Sequence, residues 1–184
     1  NSAFLESDAC FPTTPYGLSK LSQTITAFQL FREFNLPTRI SRIFNPLGAL
    51  DNPQKLLPSI INEINQNKSF NLSRCSQKRD FIFIGDLVIG YQKLIEDLYR
   101  GGFDIFNICS GNAISVKDIL TLITLEMGKD LSLLNFGAIP MRPGEPEISY
   151  GSNKKALELL GWRPEPVKEK ISIIVEQILT DNKF

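Results

Sequence analysis

Between Tyr16 and Phe44 the apolar pattern changes period, from helical to strand-like, and that change recurs along the chain. From Tyr16 to Asn35, Leu18, Leu21, Ile25, Phe28 and Phe31 follow one another at steps of three and four, the spacing of one face of an amphipathic helix. Asn35 and Pro37 end it. "TRISRIF", 38–44, then sets Ile40, Ile43 and Phe44 among arginines and β-branched residues and reads as a strand. The alternation continues with a helix through "LLPSIINEINQ", where Pro58 is tolerated near the first turn, and a short strand at "FIFI". Next come a helix from an Asp86 cap to Tyr99, ended by Gly101-Gly102, and a strand at "FDIFNI". Ser115 with Asp118 resembles a capping box for a helix through Glu126. Short helices are expected at 153–160, stopped by Gly161, and at about 167–180. Residues 1–15, the turn-rich "NPLGALDNP" and "MRPGEP" read as loops, and 131–150 carries no firm pattern. Strands alternating with helices imply an α/β architecture.

Composition removes several kinds of chemistry. The chain has 184 residues, enough for one domain or a domain and a fraction, and its 20 Lys+Arg balance 20 Asp+Glu. That neutrality gives no electrostatic case for nucleic acid or an anionic membrane surface. Histidine is absent, which excludes Ser-His-Asp and Cys-His catalysis and removes the commonest zinc ligand, so no metal site is expected. Cys10, Cys75 and Cys109 lie far apart without a CxxC pair and read as free thiols of a reducing, cytoplasmic compartment. No run of the sequence has the length of an apolar membrane span.

In "TTPYGLSKLSQ", Tyr16 precedes Lys20 by one helical turn, so the phenol and the ammonium share a face at a helix start. An ammonium beside a phenol favours the phenolate, and such a pair can take a proton from a sugar hydroxyl while hydride leaves the same carbon. Tyrosine-lysine pairs at this spacing also occur on ordinary helix surfaces. Arg79 beside Asp80 fits a surface ion pair, Arg142 fits a solvated loop residue, and Asn45 before Pro46 fits a turn former.

Five segments, in order, give these residues a common setting. "PYGLSK" resembles the P-Y-x-x-S-K catalytic helix start of the extended short-chain dehydrogenases, the NAD-dependent epimerase/dehydratase family acting on nucleotide sugars. "RIFNPLGA" is similar to that family's R-x-F-N-x-x-G, "KRDFIFIGDLVIGY" to its R-D-F-x-x-V-x-D segment, and "FNICSGNAISVKDIL" to its Y-N-x-G-S-G-x-x-x-S-V run. "RPGEPEISYGSNKKALELLGWRP" resembles its closing R-P-G-D…S-K-A…L-G-W-x-P. Together they cover most of residues 12–166.

The resemblance implies the carboxy-terminal portion of a Rossmann-type parallel-sheet domain plus a smaller mixed α/β substrate-binding lobe. Residues 1–48 would complete the dinucleotide-binding domain, with 86–112 returning to it, and 49–184 would form the lobe. Tyr16 would be the general acid/base and Lys20 would hold the nicotinamide ribose, with the Ile43, Phe44 and Asn45 backbone near the nicotinamide of NAD or NADP. The Asn45 side chain would face the phosphates of a nucleoside-diphosphate sugar, Leu56 would line the nucleotide pocket, and Arg79 and Arg142 would grip the diphosphate.

The reaction implied is epimerisation, dehydration or 4-keto reduction, and "FNPLGA" leans toward 4-epimerases. A non-catalytic relative that keeps the fold and an unrelated α/β interaction domain are the other readings. The family's glycine-rich cofactor loop and the Ser or Thr ahead of its tyrosine have no counterpart in the sequence. These 184 residues alone are therefore expected neither to hold NAD tightly nor to turn over substrate. Strand 38–45, cut off from its parent sheet, would have an open edge inviting a homodimer.

Overall fold

The computed structural model describes residues 2–48 and 51–181. In chain order the helices are α1 (Pro15–Phe34), α2 (Leu56–Asn65), α3 (Ile84–Asp97), α4 (Val116–Glu126), α5 (Lys154–Leu160) and α6 (Ile171–Asp181). The strands are β1 (Thr38–Ile43), β2 (Asn45–Leu47), β3 (Phe70–Leu72), β4 (Lys78–Arg79), β5 (Phe81–Phe83), β6 (Phe103–Ile108), β7 (Ile114–Ser115), β8 (Leu134–Phe136) and β9 (Ile148–Ser149). Among the described residues no helix is long and apolar enough to cross a membrane.

Two one-residue hinges organise the sheets. β1 runs parallel to β6, with Thr38 opposite Phe103 and Ile43 opposite Ile108. After Phe44 alone, the same segment continues as β2 and takes β5 as its parallel partner, Asn45 opposite Phe81. On the other side, Asp80 alone separates β5 from β4, which pairs with β7 antiparallel and β9 parallel. The chain thus changes sheet twice within a few ångströms, at Phe44 and Asp80, and the two points are tied by a bond from Asn45 N to the Asp80 carbonyl, 3.0 Å. A switch at the carboxyl ends of parallel strands is where α/β sheets open a crevice.

Two apolar cores flank this switch. The larger joins α2, α4 and α6 through fully buried Ile60, Ile61, Ile64, Ile119, Leu120, Ile123 and Ile174. The smaller packs α3 against β6 through Leu87, Leu94, Phe106 and Ile108, closed by Ala156 and Trp162. Gly90 lets α3 approach closely there, since a Cβ would meet the Trp162 ring at 3.1 Å, tighter than ordinary contact. A buried Arg39–Asp97 pair at 2.5 Å fastens the start of β1 to the end of α3, and the same guanidinium also donates to the carbonyls of Asp97, Gly101 and Gly102.

Four details depart from the sequence reading. The apolar stripe of α1 exists, but none of its residues is buried. Phe28 and Phe31 meet Phe103, with ring centroids 5.1 and 5.9 Å away, and each other at 6.5 Å, while Leu18 and Ile25 stay more than half exposed. Asp86 is not the cap of α3, which begins two residues earlier, after Phe83. Its carbonyl instead accepts from Trp162 Nε1 and its carboxylate from Glu165 N, so the side chain is used to dock the 162–165 segment. "NPL", read as loop, is β2, since its pairing partner lies some 36 residues away and leaves no local periodicity; Ala49 and Leu50 of the same loop lie outside the described residues. Within 131–150, β8 and β9 form only against β3 and β4.

Candidate active site

The cleft that opens at the switch has a volume of about 570 Å³. Tyr16, Ile43, Phe44, Asn45, Leu56 and Arg79 all line it, and so do Lys55, Gln77, Phe81, Val116 and Glu145. Tyr16 reaches it from the first turn of α1, whose geometry is set locally: Thr14 caps the helix by accepting from Gly17 N at 3.1 Å, and Pro15 supplies a helical φ without a missing bond. The tyrosine is 72% exposed, so its phenol stands at the rim and not in the core.

Lys20 lies on the same face of α1, its Nζ 5.6 Å from the centre of the Tyr16 ring and donating to Gln23 Oε1 at 3.3 Å. It lines a second cavity of about 600 Å³, shared with Arg42, Cys10, Phe11 and Ser149. The phenol thus lines the first cavity and the lysine one turn on lines the second. The segment ahead of α1 closes that space through a parallel bridge between Phe4 and Gly151 and an Arg42 bond to the Glu6 carbonyl.

The floor of the cleft is electrostatically closed on itself. Arg79 Nη2 pairs with Glu145 at 2.7 Å while Nη1 donates to the carbonyls of Lys78 and Pro146, both at 2.8 Å, so the guanidinium is fixed in one orientation. Lys55 pairs with Asp51 at 2.7 Å on the opposite lip. Asn45 Nδ2 donates to the Asp80 carbonyl at 2.9 Å, which holds its amide against the strand. Arg142 is exposed and is not among the cleft-lining residues, although Glu145, three positions on in the same loop, is.

Beneath this floor lies Asp80, fully buried. Its carboxylate accepts from Ser110 N and Oγ, both at 2.7 Å, from Gly111 N at 3.0 Å and from Gly151 N at 3.3 Å. Burial pushes its pKa above the ordinary carboxylate value, with these donors opposing the shift. Cys109 beside it is pushed up by burial and by the Asp80 charge. Sequence reasoning missed Glu145, Gln77, Lys55 and the role of Asp80. Glu145 was the legible one, as the acidic residue closing "RPGE", whereas the others are brought in by pairing across sheets.

The GDP-mannose 4,6 dehydratase family model matches residues 1–172. The Escherichia coli dTDP-4-dehydro-6-deoxyglucose reductase is 34% identical over 169 residues, which is 89% of this chain and 52% of that protein. The CDP-abequose synthase of Salmonella muenchen is 31% identical over 129 residues, 70% of this chain and 43% of that protein. Among solved structures, dTDP-glucose 4,6-dehydratase from Bacillus anthracis, in complex with NAD, superposes with a TM-score of 0.88 at 19% identity, over 100% of this chain and 58% of that one. UDP-glucuronic acid 4-epimerase from Bacillus cereus, in complex with UDP-glucuronic acid and NAD, gives 0.85 at 25% identity, covering 98% and 57%. The chain spans about half the length of the curated relatives it matches. With a matching family model over nearly its whole length, a Rossmann-type arrangement of parallel strands and relatives that are nucleotide-sugar dehydratases, epimerases and 4-keto reductases, the chain belongs to the GDP-mannose 4,6 dehydratase family of extended short-chain dehydrogenases.

Proposed function

We propose that the cleft binds a nucleoside-diphosphate sugar and that Tyr16 is the proton-transfer residue of an NAD(P)-dependent epimerase, dehydratase or 4-keto reductase. The supporting observation is convergence: Tyr16 from α1, Ile43–Asn45 from the β1–β2 hinge, Leu56 from α2 and Arg79 from β4 line one cavity though they are far apart in sequence. Leu56, Phe81 and Val116 offer apolar surface to a base, Arg79 offers a preordered guanidinium to a diphosphate, and the phenol stands at the rim where the sugar would lie.

The residues fit a nicotinamide ribose in the second cavity. Lys20 lines that cavity and sits beside Tyr16, and β1 ends nearby. The cofactor would supply hydride transfer to or from a sugar carbon. Tyr16 Oη would take or return the proton of the same carbon's hydroxyl, and the Lys20 ammonium would stabilise the charge developing on the phenol oxygen and hold a ribose hydroxyl. Asn45 and Arg79 would orient the phosphates, and Arg142 would close over them from its exposed loop. The choice of NAD or NADP would be made largely by residues at the glycine-rich loop. We place the protein in the cytoplasm, where three free cysteines are ordinary.

Binding tests this directly. In a thermal-shift and calorimetric panel of UDP-, dTDP-, CDP- and GDP-sugars, at least one should stabilise the 184-residue chain. Arg79→Ala should weaken that ligand by about 30-fold, the loss of one charge-assisted phosphate contact. No response to any of the four classes refutes the substrate assignment. The chain alone should show no micromolar affinity for NAD(H); such affinity would refute the division of labour proposed. Among the described residues β1 pairs on one side only, and a homodimer is proposed, to be abandoned if light scattering gives the 20.7 kDa monomer mass at high concentration.

A further inference from the structure

We infer that Asp80 is a positioning residue, whose carboxylate fixes both walls of the cleft against each other and thereby sets the orientation of Arg79 and Asn45 toward a diphosphate. This rests on the reading of the cleft given above.

Asp80 lies where four segments cross. Its backbone is the single residue between β4 and β5, so Arg79 precedes it directly. Its carbonyl accepts both the N–H and the Nδ2 of Asn45, 3.0 and 2.9 Å. Its own N–H donates to Ser149 O at 3.0 Å, at the end of β9. The carboxylate then binds the 110–111 turn through three donors and the segment after β9 through Gly151 N.

β9 is the strand downstream of Glu145 and Pro146, which together with the Lys78 carbonyl hold the Arg79 guanidinium. Through these contacts Asp80 closes a ring: Asn45 on one wall, Arg79 on the floor, Glu145 on the other wall. A buried carboxylate with four donors cannot be exchanged for an amide without setting an N–H₂ against a backbone N–H. The side-chain bonds of Arg79 go to Lys78, Pro146 and Glu145, so its side chain is linked to the 110–111 turn through Asp80 beside it, next to the backbone pairing of Arg79 with Ile114.

A residue that merely held the fold together would, when altered, weaken every ligand of the cleft alike. A residue that aims Arg79 should instead lower the advantage of a diphosphate over a monophosphate. The test is isothermal titration of UDP, dTDP, CDP and GDP, and of the corresponding monophosphates, against the 184-residue chain and its variants. For the nucleotide bound most tightly, Asp80→Asn should cut the diphosphate-to-monophosphate affinity ratio about tenfold. Ser110→Ala, which removes one donor from a partly exposed side chain and leaves the backbone contacts in place, should cut it about threefold and keeps the question open to measurement if Asp80→Asn does not fold. In the Arg79→Ala background Ser110→Ala should leave the ratio unchanged, because nothing remains to be aimed. An unchanged ratio in the foldable single variant, or equal losses for both phosphate states, overturns the assignment. If the wild type binds none of the diphosphates, the substrate reading falls and this inference with it.

Discussion

Gly151 offers the sharpest test of how the cleft is walled. A Cβ placed on it would lie 2.5 Å from Cζ and 2.6 Å from Cε2 of Phe44, and 2.8 Å from Cys109 Sγ. Ordinary carbon–carbon contact is about 3.5–4.0 Å, so alanine at this position forces the Phe44 ring back by about 1 Å or more. Cys109 is fully buried just after β6, whereas the Phe44 side chain is only half-buried and lines the cleft, so the ring is the group that yields. Overpacking of this kind costs typically about 1–3 kcal/mol, and we take about 2 kcal/mol for a partly exposed ring that can rotate. For a chain of this size that corresponds to a drop of about 4–8 °C in Tm.

The assay is a pair of urea and thermal melts on wild type, Gly151→Ala, Phe44→Ala and the double variant. Removing the ring removes most of the clash, so the double variant should be more stable than the sum of the single losses by about 1 kcal/mol or more. The residual Cys109 contact keeps the rescue partial. A Gly151→Ala melt within 1 °C of wild type, or strictly additive losses, would refute the argument that Gly151 is selected by the close approach of Phe44.

Other perturbations probe the frame around the site. Asp97→Ala leaves the buried Arg39 guanidinium without its carboxylate, at side-chain exposures of 6% and 8%, and should cost about 3–5 kcal/mol in a urea titration, with carbonyl bonds to Gly101 and Gly102 keeping it toward the lower end. Ser115→Ala removes the cap that accepts from Asp118 N at 2.9 Å and should cost about 1 kcal/mol, read as a shift of the urea midpoint with an unchanged slope. In a thiol titration with an aromatic disulfide reagent at pH 8, the native chain should yield one fast-reacting cysteine, exposed Cys10. Cys75 and Cys109, both buried and with pKa values pushed up chiefly by that burial, should appear only in denaturant. Two or more fast thiols in the native state would contradict their burial.

What the sequence made legible divides along the range of the interactions. α1 is set by contacts within a turn or two of itself, from the Thr14 cap to the left-handed Asn35 at φ 52°, and its limits could be read to within a residue or two. β1 and β6 carry enough β-branched and apolar residues to stand out before their pairing is known. β2, β4, β8 and β9 are two or three residues long and exist only through partners far along the chain, so no local pattern could reveal them. The same distinction explains the site. Tyr16 and Lys20 share one helix and were visible as a pair, and Arg79 was visible as a motif residue. That Arg79 would be held by Glu145 and Pro146 depends on β4 pairing with β9, and that Asn45 would spend its amide nitrogen on Asp80 depends on β2 leaving β6 for β5.

A cleft built at such a change of partner inherits a physical requirement. Strands two or three residues long supply too few ladder bonds to fix their own position, since each net bond is worth only about 1 kcal/mol. Side-chain bonds across the junction must therefore supply the precision that a longer sheet would provide. Asp80 does so by accepting from four donors drawn from two other segments, the 110–111 turn and Gly151. The buried acid and the guanidinium of the residue before it are thus parts of one construction: the first ties the short strands together, and the second is held in one orientation by Glu145, Pro146 and Lys78.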